Sequence, residues 1–74
     1  MEKFISKFAE LLDETAPNSI NAKTVFKDLD EWSSLMALSV IAMVDDEYGV
    51  TIGADIIKQS STIEDLYNAI MARV

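Results

Sequence analysis

The run Ser34-Leu35-Met36-Ala37-Leu38-Ser39-Val40-Ile41-Ala42-Met43-Val44 continues through Asp45-Asp46-Glu47-Tyr48 and stops at Gly49. Serines are favoured at a helix start, and a glycine just past the last periodic residue supplies the left-handed backbone of a helix stop. The segment therefore predicts a helix from about Ser34 to Tyr48. With residues set about 100° apart, Ala37, Val40, Ile41, Val44 and Tyr48 share one stripe, the expected buried face, while Ser39, Met43 and Asp46 point outward. Leu35, Met36, Leu38 and Ala42 flank the outward face. The helix is thus more apolar all round than a surface helix requires, and is either central or meets a partner.

Two further segments have clear helical periodicity. Phe4, Ile5, Phe8, Leu11 and Leu12 form a one-sided stripe that predicts a helix from Glu2 to Glu14, ended by Thr15-Ala16-Pro17-Asn18-Ser19. Ile63, Leu66, Tyr67, Ile70, Met71 and Val74 recur at helical spacing after Ser61-x-x-Glu64, which has the form of a capping box. Between Pro17 and Ser33 the apolar residues keep no period, so a long loop is expected, with Phe26, Leu29 and Ile20 plugging the helix packing. Val50 to Gly53 reads as a short extended connection, and Ala54 to Gln59 as one or two helical turns carrying Ile56 and Ile57. No segment alternates with period 2. The expected fold is all-α: a small four-helix bundle of three main helices and one short one, with a long loop between the first and second, forming a single domain over residues 1–74.

Composition narrows the function. Thirteen acidic against six basic residues give a net charge of −7, an unfavourable field for nucleic acid and a favourable one for basic protein partners. There is no Cys and no His, so thiolate chemistry and the commonest general base are absent. The start Met1-Glu2-Lys3-Phe4 does not look like a signal peptide, and no apolar run approaches the roughly 20 residues that span a bilayer, so a cytoplasmic protein without membrane attachment is expected.

Asp45, Asp46 and Glu47 are consecutive, so they fan around a helix instead of converging on one atom, and a solvated helix end is the simpler reading. Calcium loops need glycine at position six and glutamate at twelve, which neither Asp28 nor Asp45 starts. Serine catalysis at Ser34 would need a base, and only carboxylates and lysines are on offer. The chain does not read as an enzyme. A serine at the start of the central helix is either a capping residue or an accessible attachment point whose anionic substituent would lie beside unpaired N–H groups and the positive end of the helix dipole.

Taken together, Phe26-x-Asp28-Leu29-x-x-x-Ser33-Ser34-Leu35, the apolar helix, the acidic triplet, an aromatic, glycine, and a short then a long helix resemble acyl carrier proteins over essentially the whole chain. Glu31-Trp32-Ser33-Ser34-Leu35 is similar to the Glu-Trp-Asp-Ser-Leu variant of that family's motif, whose serine carries 4′-phosphopantetheine through a phosphodiester; that serine aligns with Ser34. The main departure is Ser33, where the family usually has Asp. Ser33 keeps the helix-start role but lacks the charge, so modification is expected to be slow or to need a dedicated transferase. Met36 and Ser39 stand where such carriers are often acidic.

The resemblance implies a carrier that holds acyl intermediates as thioesters on an arm taken from coenzyme A by a phosphopantetheinyl transferase, and delivers them to acyl-transfer, condensing and tailoring enzymes of fatty acid or polyketide type. It would act as a monomer and bring no catalytic residue of its own. Asp46 and Glu47, with Asp30 and Glu31, would steer docking to basic patches on those enzymes. Leu35, Met36, Leu38, Ser39 and Met43 would complete the partner surface. Met36 and Met43 have an equally simple reading as packing residues, and Trp32 as a loop anchor. Ala37, Val40, Ile41, Val44, Ile57, Ile63 and Leu66 either line a cavity for the acyl chain or form a packed core. The alternatives are an aminoacyl, peptidyl or D-alanyl carrier, or a degenerate helical interaction module without the prosthetic group.

Overall fold

A computed structural model describes residues 1–12 and 19–74 of the chain. Among these, the elements are α1 (Glu2–Glu10), a 3₁₀ turn (Phe26–Asp28), α2 (Ser34–Tyr48), α3 (Ala54–Gln59) and α4 (Ile63–Met71), with no strand. The all-helical bundle expected from periodicity is the fold observed.

The first helix is shorter than its stripe. Leu11 closes α1 as an αR cap, and Leu11 and Leu12 donate to Phe8 O and Ala9 O at 3.1 Å, the i→i+3 tightening typical of a last turn. Asp13 and Glu14, expected to continue it, and the expected Thr15-Ala16-Pro17-Asn18 break lie outside the described residues. Phe4 and Phe8 are fully buried, with Ala9 and Leu12 beside them. Phe4 meets Phe8, Tyr48 and Tyr67 with ring centroids 5.7–6.3 Å apart, which ties α1 to α2 and α4.

The long loop is held by its own side chains. Phe26 is completely buried, Ile20 is buried and Leu29 is packed on the core, as expected of plugs. Trp32 packs edge-on to Phe26 at 4.9 Å and parallel to Phe8 at 6.4 Å, so it anchors the loop. The turn at Asn21–Thr24 is closed by Asn21 Oδ1, which accepts Lys23 N–H at 2.8 Å, and by Thr24 Oγ1, which accepts Asn21 N–H at 2.9 Å. Loop carbonyls then serve α4: Ile63 N–H donates to Thr24 O and Glu64 N–H to Ala22 O. Thr62 and Asp65 satisfy the remaining first-turn groups as a capping box, with Asp65 N–H donating to Thr62 Oγ1 at 3.1 Å and Thr62 N–H to Asp65 Oδ2 at 3.1 Å. The box therefore sits one residue later than Ser61 and Glu64, because Thr62, not Ser61, takes the extended cap conformation before Ile63. Val74, expected on the α4 stripe, lies past its end and is exposed.

Helix α2 has the predicted bounds, and Gly49 caps it at φ 65°, donating its N–H to Asp45 O at 3.0 Å. Its rotation differs from the wheel. Val40 and Val44 are fully buried, but Met43, expected to point outward, is buried at 9% exposure, while Met36, Ala37, Ile41 and Tyr48 are all half-buried and packed against the core. The fully inward residues are Val40, Met43 and Val44, at i, i+3 and i+4. A helix apolar all round has no single best face, so its neighbours set the rotation. Helix α3 packs on both α2 and α4 and contributes buried Ile56 and Ile57.

Candidate functional site

Ser33 and Ser34 have separate roles at the start of α2. Ser33 has extended backbone, and its Oγ accepts Met36 N–H at 3.2 Å, so Ser33 is the N-cap and does what an Asp would do there sterically. Ser34 is the first helical residue. It is exposed, and its hydroxyl makes no hydrogen bond among the described residues. Ala37 N–H donates to Ser33 O at 3.0 Å, while the amides of Ser34 and Leu35 stay unpaired within the described structure. The first turn of α2 contains no acidic residue. Two free amides, an uncompensated dipole end and a free hydroxyl thus coincide at one exposed residue, an arrangement suited to a serine phosphodiester.

Beside Ser34 lies an open groove of about 480 Å³ between α2, α3 and the loop. Trp32, Ala37, Leu38, Ile41, Ala54 and Ile57 give it an apolar wall, Ser33 and Ser34 are at one end, and Lys27 and Lys58 complete the lining. Of the residues expected to line an acyl cavity, Ala37, Ile41 and Ile57 do line the groove. Val40, Val44, Ile63 and Leu66 belong to the packed core. Lys27 and Lys58 carry no signal in the sequence, being 31 positions apart; they meet because Lys27 Nζ donates to Lys58 O at 2.9 Å.

A family model described as a phosphopantetheine attachment site matches residues 2–70. The chain belongs to that family. Comparisons with curated proteins and with solved structures gave no match. As a phosphopantetheine carrier the chain is not an enzyme; its family bears covalently attached 4′-phosphopantetheine and works with a phosphopantetheinyl transferase and with biosynthetic enzymes. No helix among the described residues is long and apolar enough to cross a membrane.

The carrier's surface around Ser34 has two parts. Leu35 and Leu38 are 73% and 62% exposed, an unusual display for leucine, and Ala42 lies on the same exposed side. Asp30, Asp45 and Asp46 are exposed, and Glu31 is half-buried. The other residues expected at a partner surface make contacts within the fold, Met43 buried and Met36, Ser39 and Glu47 half-buried. Met43 belongs to the core and Met36 packs on it; Ser39 Oγ donates to Leu35 O at 3.1 Å within its own helix. The Glu47 carboxylate lies 3.7 Å from Lys3 Nζ and 3.9 Å from Lys7 Nζ, so α1 compensates its charge. Lys3 also sits 5.6 Å above the Tyr48 ring. Burial pushes the Tyr48 phenol above its ordinary pKa, and Tyr67 and Glu47 add to the shift, so it stays protonated.

Proposed function

We propose that Ser34 is the residue that receives the 4′-phosphopantetheine arm, and that the protein carries acyl intermediates of fatty acid or polyketide type between biosynthetic enzymes. The observation that carries this is the division of labour between the two serines: Ser33 Oγ is engaged in the cap, and Ser34 Oγ is free at the head of α2. In the transfer, the Ser34 hydroxyl attacks the phosphorus that bears the pantetheine half of coenzyme A. The pyrophosphate P–O bond breaks, the nucleotide half leaves, and the hydroxyl proton passes to a base on the transferase, since no group among the described residues hydrogen-bonds that hydroxyl. The arm supplies the thiol that this cysteine-free chain lacks, for thioester formation.

The remaining work of the chain is presentation. The amides of Ser34 and Leu35 and the dipole of α2 stabilise the phosphodiester and fix where the arm leaves the surface. Leu35 and Leu38 offer the apolar contact for partner enzymes, and Asp30, Glu31 and Asp46 the attraction to basic patches, giving short-lived, salt-sensitive complexes. The apolar wall of the groove favours a hydrocarbon cargo over a free amino acid. The unit works as a monomer over residues 1–74 in the cytoplasm.

The test is intact-protein mass spectrometry after incubation with coenzyme A and a broad-specificity phosphopantetheinyl transferase, with fragmentation to locate the added group. One phosphopantetheine on Ser34, absent from Ser34→Ala, is the expected result. Modification at Ser33 overturns the assignment by one residue. A folded protein that takes no arm from several transferases is a noncovalent interaction module.

A further inference from the structure

The chain has five lysines and one arginine against thirteen acidic residues, so where its cations stand is informative. Lys3 and Lys7 face Glu47, Lys7 also lies 3.7 Å from Glu10, and Arg73 donates to Ala69 O. Lys23 sits in the Asn21–Thr24 turn. The other two, Lys27 and Lys58, both line the groove beside Ser34, and among the described residues neither has a carboxylate within ion-pair distance. Lys27 is half-buried and its position is fixed, with Nζ on Lys58 O at 2.9 Å and 5.9 Å from the Phe26 ring centroid. That bond uses one of three ammonium donors, leaving two for a ligand.

A groove with an apolar wall and two lysines in its lining, neither in an ion pair among the described residues, is matched by an occupant with a hydrocarbon body and an anionic end. We propose that this groove takes, as the cargo of the Ser34 arm, a dicarboxylic acid bound through one end as a thioester, with its free carboxylate held by Lys27 and Lys58. The inference rests on the carrier reading of Ser34. On a chain of net charge −7 these two lysines put positive charge beside a groove that opens next to Ser34. A neutral chain of the same length fills the apolar wall equally well but gains nothing from the lysines, whose stems would then only cover apolar surface.

The experiment loads the full chain with hexanoyl or adipoyl groups from their coenzyme A thioesters, verifies each product by mass, and measures thioester cleavage by hydroxylamine alongside the fluorescence of Trp32, which lines the groove and is the sole tryptophan. In the wild type the adipoyl thioester is expected to be cleaved about two- to fivefold more slowly than the hexanoyl one, the scale of a partly exposed charge pair. The difference should vanish in Lys58→Met and Lys27→Met, persist in Lys27→Arg, and shrink in high salt. Equal cleavage of the two cargoes, or a preference that survives both methionine variants, overturns the proposal while leaving the carrier reading intact. A lysine-dependent fluorescence change already present with the bare arm also overturns it, because the lysines then hold the phosphodiester. Failure of Ser34 to load overturns the carrier reading and this inference together.

Discussion

Ser33 Oγ accepts the amide N–H of Met36 at 3.2 Å, and this bond frees its neighbour Ser34 from any part in capping α2. Ser33→Ala should lower stability by about 1 kcal/mol, the usual worth of an N-cap side chain. Ser33→Asp should keep the cap and add roughly 0.3–1 kcal/mol through the helix dipole. Urea unfolding of the three proteins checks both values. The same panel, incubated with transferase, should show Ser34 modified in every variant and fastest in Ser33→Asp, which restores the carboxylate usual in the family. A Ser33→Ala protein that loads at Ser34 no slower than Ser33→Asp would show that the transferase does not read that charge.

The contrast between Glu47 and Asp46 gives a second expectation. Glu47 is held by Lys3 and Lys7 from α1, whereas Asp46 is exposed and has no ion pair among the described residues. Glu47→Gln should cost less than about 1 kcal/mol, a loss that fades with added salt, because pairs this exposed are screened. It should leave association with a basic partner enzyme nearly unchanged. Asp46→Asn should do the reverse, leaving the melting temperature alone and slowing association, as read by stopped-flow mixing with the transferase. Equal effects of the two changes on association would place Glu47 in the docking surface despite its lysines.

The ends of α2 and the central motif were legible because they rest on local chemistry: Gly49 stops α2 at a positive φ, and Ser33 starts it. The burial of Phe26, Ile20 and Leu29 was legible as isolated apolar residues in a polar loop. What the sequence did not give depends on partners distant in the chain. The loop carbonyls of Ala22 and Thr24 cap α4, and Lys27 reaches Lys58, through contacts that no local pattern encodes. The rotation of α2 was misread at Met43 for a related reason: a helix with apolar residues on every side is oriented by tertiary packing, and periodicity alone is indifferent to it.

The cap of α4 makes stability depend on pH. Asp65 accepts from the backbone N–H groups of Thr62 and Ser61, and these bonds hold its carboxyl below the ordinary value. A group whose pKa is depressed by folding contributes stability above its unfolded pKa and loses it as pH falls through the folded one. The melting temperature should therefore decline on acidification below the ordinary carboxylate range. Asp65→Asn should melt lower than wild type near neutral pH, with the gap closing in acid. Parallel curves at all pH values would assign the difference to hydrogen-bond geometry alone.

Met43 and Leu38 give the sharpest test of how α2 is oriented, because the helical wheel puts both on or beside the outward face and the structure buries only Met43. Met43 is buried in the core, whereas Leu38 is 62% exposed beside the groove mouth. Met43→Ala should cost about 2–5 kcal/mol, the range for emptying a buried methionine site. In a domain of this size each kcal/mol lowers the melting temperature by about 4–8 °C, so the loss would be plain in a thermal scan. Leu38→Ala should stay within about 0.5 kcal/mol, as for most surface changes. It should instead weaken binding of partner enzymes, since an exposed leucine near the attachment serine contributes only when a second surface covers it. If Met43→Ala were neutral, α2 would be rotated toward the Ala37, Val40, Ile41, Val44 and Tyr48 face its simple periodicity favours, and the groove beside Ser34 would have a different wall.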